Sequence, residues 1–255
     1  MEKIFIKNRK GLKMALRVSI DDKNSKLAFL VHGLASRNNY PHMLVLEEAF
    51  IKNGYNVINI DVTDSLNESE SSAEGITFSR FIEDLEDTIS WAKTKSFYRE
   101  PFALGGQSLG AQAIIWFAGH YPGKVELLIP LSFCWLDGKE QVKRDNNAKV
   151  IFENGYIERV SKSTGRSLRI YRNYPDDMEN YNFYEIVKNI TTRTFLISGS
   201  KDTEYRLVET EKLFNLLTCE KQFIILDDVP HDLANTEEHK QKLNKALEIL
   251  FASAK

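Results

Sequence analysis

Two cysteines in 255 residues are too few for a disulfide framework, and Cys134 and Cys219 have no metal-type spacing. Both read as reduced core residues, the usage of a cytosolic protein. Charge of one sign is not in excess either. The chain has 34 basic and 36 acidic residues, a net charge of −2, mixed along its length. Neither nucleic acid nor an anionic membrane surface is therefore favoured over a small-molecule partner. Long apolar runs are missing: none approaches the ~18 residues of a membrane span. The opening MEKIFIKNRKG flanks its short apolar run with charges, so no signal peptide is expected. Internal repeats and low-complexity tracts are absent as well. What remains is the composition of a folded globular protein, 42% hydrophobic and 11% aromatic. At this length one domain can stabilise its own core.

Short apolar runs alternate with helical spacing. IFIKN and KMALRVSI, separated by Arg9-Lys10-Gly11, read as a hairpin. Lys26–Val31 is a continuous apolar run suited to a strand buried on both faces. A helix follows over 41–53, opened by Pro41 and stopped by Gly54, and then a strand over 56–61. Residues 63–75 are polar and read as a loop. Phe78, Phe81, Ile82, Leu85, Ile89 and Ala92 recur at three and four residues, an amphipathic helix. Further strands are expected over 101–105, 125–131, 195–199 and 222–226, with helices over 111–121, 206–217 and 237–251. Such alternation predicts an α/β fold, a mostly parallel sheet covered by helices on both faces. Residues 133–190 interrupt it. They are rich in charge and aromatics, with a hairpin expected around Ser163-Thr164-Gly165, and have too few apolar residues for an independent core.

In an open parallel sheet ligands sit beyond the carboxyl ends of the strands. Four such ends carry suggestive chemistry: His32-Gly33-Leu34, Gly106-Gln107-Ser108-Leu109-Gly110, Gly199-Ser200-Lys201-Asp202 and Pro230-His231-Asp232. The order Ser, Asp, His is that of a nucleophile elbow with its base and acid. Glycines two before and two after the serine allow a strained turn that leaves Ser108 exposed above the sheet. A serine hydroxyl is a weak nucleophile until a base takes its proton. His231 would be that base, and Asp202 would fix its tautomer and stabilise the imidazolium. The backbone N–H groups of Leu34 and Leu109 would face the oxyanion. Asp202 could instead cap the following helix; Asp227 and Asp228 are the alternative acids. His32 reads as a residue that shapes its turn.

On these residues the chain resembles the α/β-hydrolases, from the His32-Gly33 turn to the last helix. The segment 133–190 is similar in place and length to the small lid of cinnamoyl/feruloyl esterase-like bacterial carboxylesterases, with Tyr181-Asn182-Phe183-Tyr184-Glu185 as its aromatic-acid stretch. The resemblance implies an α/β-hydrolase core over 1–132 and 191–255 with a lid insertion over 133–190. It also implies hydrolysis of carboxylic esters through an acyl-enzyme, with no metal or organic cofactor. Here Thr203-Glu204-Tyr205 stands where many relatives follow the acid with a hydrophobic-Pro pair, and 67–70 read Asn-Glu-Ser-Glu where many have glycines. Phe133, Trp135, Tyr156, Tyr171 and Phe183 would offer an aromatic pocket, suited to short or medium acyl esters or aryl esters of the cinnamoyl kind. A thioesterase, lipase or peptidase could run on the same triad. A noncatalytic binding protein of this fold is the reading from another class.

Overall fold

The computed structural model describes residues 1–72, 75–136, 139–140, 150–151, 153–160 and 165–253. Eight strands form one sheet: β1 (Glu2–Lys7), β2 (Lys13–Ser19), β3 (Lys26–Val31), β4 (Tyr55–Asp61), β5 (Phe102–Gln107), β6 (Val125–Leu131), β9 (Arg193–Gly199) and β10 (Lys221–Leu226). Their spatial order is β1-β2-β4-β3-β5-β6-β9-β10. The β1–β2 and β2–β4 pairs are antiparallel and the remaining pairs parallel. The Gly11 turn joins β1 to β2, with Gly11 at φ 78°.

Helices cover both faces. α1 (Pro41–Lys52) and α7 (Glu237–Ser253) lie on one face; α2 (Phe78–Ala92) and α3 (Leu109–His120) lie on the other. Strand β3 shows why: Leu27, Phe29 and Val31 join the core under α2 and α3, while Ala28 and Leu30 join the core under α1 and α7. A strand apolar on both faces has no other way to bury its side chains. α2 starts at Thr77, whose hydroxyl accepts the Arg80 N–H. α6 (Glu204–Leu216) lies between β9 and β10.

The chain between β6 and β9 carries a small antiparallel sheet, β7 (Tyr156–Val160) with β8 (Ser167–Tyr171), and two short helices, α4 (Asn173–Met178) and α5 (Phe183–Val187). Ser163 and Thr164 of the expected turn lie outside the described residues. Phe133, Trp135, Leu168, Ile170, Met178 and Phe183 belong to the same apolar cluster as Phe29 and Phe81.

Parallel register aligns the ends of the central strands. Val31 pairs with Gly106, Gln107 with Leu131, Leu131 with Ile197, and Gly199 with Leu226. Residues that follow these positions therefore emerge side by side along one edge of the sheet.

His42 sits in the first turn of α1, beneath that edge, and only 1% of it is exposed. Burial pushes its imidazole down to about 3. The folded protein thus holds His42 neutral, whereas the unfolded chain protonates it from pH 6.5 downward. Stability from this group is complete above pH 6.5 and declines as the pH falls. Between pH 6.5 and pH 5 the loss due to His42 is expected to be about 2 kcal/mol. Urea unfolding at the two pH values should show a smaller decline in His42→Phe than in the natural chain. An equal decline in both would rule out His42 as its source.

Candidate active site

Ser108 occupies the turn between β5 and α3 at φ 54° and ψ −115°. Positive φ costs a non-glycine residue on the order of 1–3 kcal/mol and persists only where the surroundings enforce it. Here they do. The Ser108 N–H is bonded to Leu131 O at 2.9 Å. A Cβ on Gly106 would lie 2.6 Å from Gly110 O, and one on Gly110 would lie 2.5 Å from His32 O and closer still to Val31 O. Only glycine lets α3 approach the end of β3 this closely.

On the opposite side of Ser108 is the turn after β3. A Cβ on Gly33 would stand 3.1 Å from Ser108 Cβ and would overlap Gln107 Oε1. Neither the Leu34 nor the Leu109 N–H has a backbone acceptor among the described residues, and Leu109 opens α3. His32 is fully buried. Its Nδ1–H donates to Gly33 O at 2.8 Å, and its Nε2 accepts the Val62 N–H at 3.0 Å. With one nitrogen donating and the other accepting, this ring is neutral, and burial lowers its pKa. It stiffens the turn, as expected from the sequence.

Asp202 and His231 come from the neighbouring strand ends. A Cβ on Gly199 would overlap the Val229 carbonyl, and Lys201 N–H donates to Val229 O at 2.9 Å, so the two loops are in close contact. Asp202 Oδ2 and His231 Nδ1 are 2.7 Å apart, with side-chain exposures of 2% and 25%. The other oxygen, Oδ1, accepts the Thr203 N–H at 2.8 Å and faces the Arg206 guanidinium at 3.6 Å. α6 takes no side-chain cap, so Asp202 is not its N-cap. Asp227 and Asp228 are both exposed, and Asp228 pairs with Lys201 at 3.3 Å.

Ser108 and His231 line one cavity of about 100 Å³ with Leu34, Ala35, Ser36, Tyr40, Gln107 and Asp232. No hydrogen bond joins Ser108 Oγ to the imidazole; catalytic contacts commonly tighten only with substrate in place. Ser36, Tyr40, Gln107 and Asp232 were not singled out by sequence. Gln107 and Asp232 are marked only by standing beside Ser108 and His231, and Ser36 and Tyr40, in the stretch between β3 and α1, by nothing.

Of the five aromatic residues expected around a pocket, none lines the Ser108 cavity, and Trp135 and Phe183 line another. Trp135 and Phe183 stack at 4.3 Å, with Phe133 5.5 Å from Phe183. All three are buried. Trp135 and Phe183 border a second cavity of about 300 Å³ with Tyr184, Glu209 and Lys212. Tyr156 and Tyr171 face each other across β7 and β8 at 6.0 Å. Tyr156 is exposed and Tyr171 packs against Gly75.

Among the described residues no group of three or more His, Cys, Asp or Glu side chains could hold a metal ion. Nor is any helix among them long and apolar enough to cross a membrane. Asp61, at the end of β4, organises the polar loop beyond it: its Oδ2 accepts from Ser65 Oγ at 3.0 Å and from the N–H groups of Glu68 and Ser69, both at 2.9 Å. The segment where many relatives have glycines is thus bonded into the end of the sheet.

No protein-family model and no curated protein matches the chain. Solved structures do. Est1E from Butyrivibrio proteoclasticus with ferulic acid bound superposes with a TM-score of 0.82 at 15% identity, covering 98% of both chains. Alpha/beta hydrolase domain-containing protein 10 from mouse gives 0.75 at 16% identity, covering 100% of both. The esterase domain of a Rhodothermus marinus protein gives 0.69 at 19% identity, covering 99% of this chain and 97% of that one. With its mostly parallel eight-stranded sheet, helices on both faces and a serine turn after β5, the chain has the α/β-hydrolase fold.

Proposed function

We propose that the protein is a serine hydrolase that cleaves carboxylic esters through an acyl-enzyme. The observation that carries this is the 2.7 Å Asp202–His231 bond at the rim of the cavity that Ser108 lines. In the first half-reaction Ser108 Oγ attacks the ester carbonyl carbon while His231 Nε2 takes the hydroxyl proton. Asp202 holds the imidazole in the Nδ1–H tautomer and stabilises the imidazolium. The Leu34 and Leu109 N–H groups donate to the oxyanion at the start of α3. Collapse breaks the ester C–O bond, and His231 returns its proton to the departing alcohol. Water then repeats the sequence on the acyl-enzyme, releasing the acid. Every proton is carried by this chain's own residues, and no metal or organic cofactor enters the cycle.

The residues 133–190 act as the lid in this reading, with 1–132 and 191–255 as the catalytic core. The Ser108 cavity is well below the ~300 Å³ at which pockets enclose a drug-sized ligand. It suits one small substituent of the ester. Short to medium acyl esters and aryl esters of the cinnamoyl kind are the proposed substrates. The ferulic acid bound by Est1E supports the aryl member of that set. A small soluble ester is the partner required; nucleic acid is not.

A panel of p-nitrophenyl esters from acetyl to palmitoyl, with methyl cinnamates, thioesters and aminoacyl amides, tests this assignment. The short or aryl esters should exceed the matched thioester and amide in kcat/KM by at least about tenfold. A higher value for the thioester or amide would reassign the same triad to a thioesterase or peptidase, and one for palmitoyl to a lipase. Cleavage of nothing in the panel would favour a noncatalytic binding protein.

A further inference from the structure

The backbone carbonyl of His231 is held by side chains from two other strand ends. Ser132 Oγ donates to it at 2.8 Å and Gln107 Nε2 at 3.4 Å. No backbone N–H donates to this oxygen among the described residues; the local turn bonds run from Leu233 N–H to Pro230 O and from Ala234 N–H to Asp232 O.

Both donors are themselves fixed. Ser132 follows β6, is fully buried, and lies at φ 46°. Its own N–H is tied to Ile197 O at 2.8 Å. A buried serine at positive φ is costly on two counts, and its bond to His231 O satisfies the hydroxyl. Gln107 ends β5 immediately before Ser108, is 3% exposed, and touches the Gly33 turn with the far end of its amide.

We propose that Gln107 and Ser132 form a two-donor clamp on the His231 carbonyl that sets the imidazole's position relative to Ser108. The reasoning is geometric. The peptide unit is planar, so donors on its oxygen from two directions orient the 231–232 peptide and with it the His231 Cα. The bond to Asp202 then fixes the far side of the ring. Because Gln107 is the neighbour of Ser108 in the chain, the base loop is spaced directly from the nucleophile's own strand. Gln107 and Ser132 are positioning residues. Only the expected effect on turnover rests on the serine-hydrolase reading.

The test uses the full chain and three variants. Ser132→Gly removes the hydroxyl at a φ that glycine adopts freely. Gln107→Met removes the amide donor at similar volume. The third variant combines them. The first readout needs no substrate: the low-field proton resonance of His231 Nδ1–H in its bond to Asp202, assigned by its loss in His231→Ala. It should be sharp in the natural chain, weakened in each single variant, and lost in the double variant while cooperative unfolding is kept. The second readout is ester turnover. A misplaced reacting group costs up to about a hundredfold, so kcat should fall about tenfold in each single variant and about a hundredfold in the double, with KM within about twofold.

An undiminished resonance in the double variant would overturn the clamp, whatever happens to turnover. If the double variant does not fold, the same measurement on the Ser132→Gly chain decides in the same way: a weakened resonance upholds the clamp and an undiminished one overturns it. Loss of the resonance in variants of a chain that hydrolyses none of the esters would uphold the clamp and remove the hydrolase reading.

Discussion

Ser108→Ala is expected to abolish covalent labelling by a fluorophosphonate and to lower ester turnover by about 10⁴- to 10⁶-fold. The probe forms a bond between Oγ and phosphorus as fluoride leaves, and the serine proton goes to the base. Labelling therefore reads nucleophile, base and oxyanion site together. Alanine tolerates the φ of 54° about as poorly as serine does, so the turn is under the same strain and the fold is kept. The comparison thus isolates the hydroxyl. A folded natural chain that resists the probe would end the ester-hydrolase reading, because each part of the proposed site is needed to react with it.

His231→Ala should cost a similar 10⁴- to 10⁶-fold, roughly, because nucleophile and base act as one unit and their losses do not add. Asp202→Asn should fall short of that, at about 10⁴-fold in kcat. An amide at this position can present its NH₂ to Nδ1, which selects the wrong tautomer and turns the proton-accepting nitrogen away from Ser108. Asp202 is also the acid that the sequence left open among three. Asp228, paired with Lys201 in solvent, and Asp227, exposed beside it, should each tolerate Asn with less than about a twofold change, the level of an ordinary surface substitution. Steady-state kinetics on the four variants decides the matter. Activity retained in Asp202→Asn, or lost in Asp228→Asn, would move the acid to another carboxylate.

The strands and the chemical residues at their ends are legible for the same reason. A parallel strand is a short apolar run, and a polar residue just past its end stands out against it. The pattern predicts Val125–Leu131 to the residue. It ends β5 at Gly105, yet the strand continues to Gln107. The glycines there suggest a loop, but a Cβ on Gly105 would lie 2.8 Å from Leu30 Cδ2 and 2.9 Å from Leu46 Cδ2. That glycine answers to side-chain packing across the sheet, which no local pattern records. The helices Asn173–Met178 and Phe183–Val187 are too short to repeat a hydrophobic period. Nothing in the sequence marks Gln107 and Ser132 as partners, because what they share is a backbone carbonyl, and every residue has one. An aromatic ring reads identically in sequence whether it roofs a cavity or stacks on another ring, and Trp135 and Phe183 do both, stacking at 4.3 Å while bordering the cavity beside Tyr184.

Phe133, Trp135 and Phe183, between β6 and β9, are buried in the same apolar cluster as Phe29 and Phe81 of the core. This limits modularity. A cover attached only at its hinges could be exchanged between relatives to transplant a preference for one ester over another. Here the same rings that would be exchanged also roof the core, and truncating one to alanine should cost about 3–5 kcal/mol of folding free energy. Under the proposed lid assignment, divergence toward new substrates would proceed through compensated pairs of changes, one in the lid and one in the sheet beneath it.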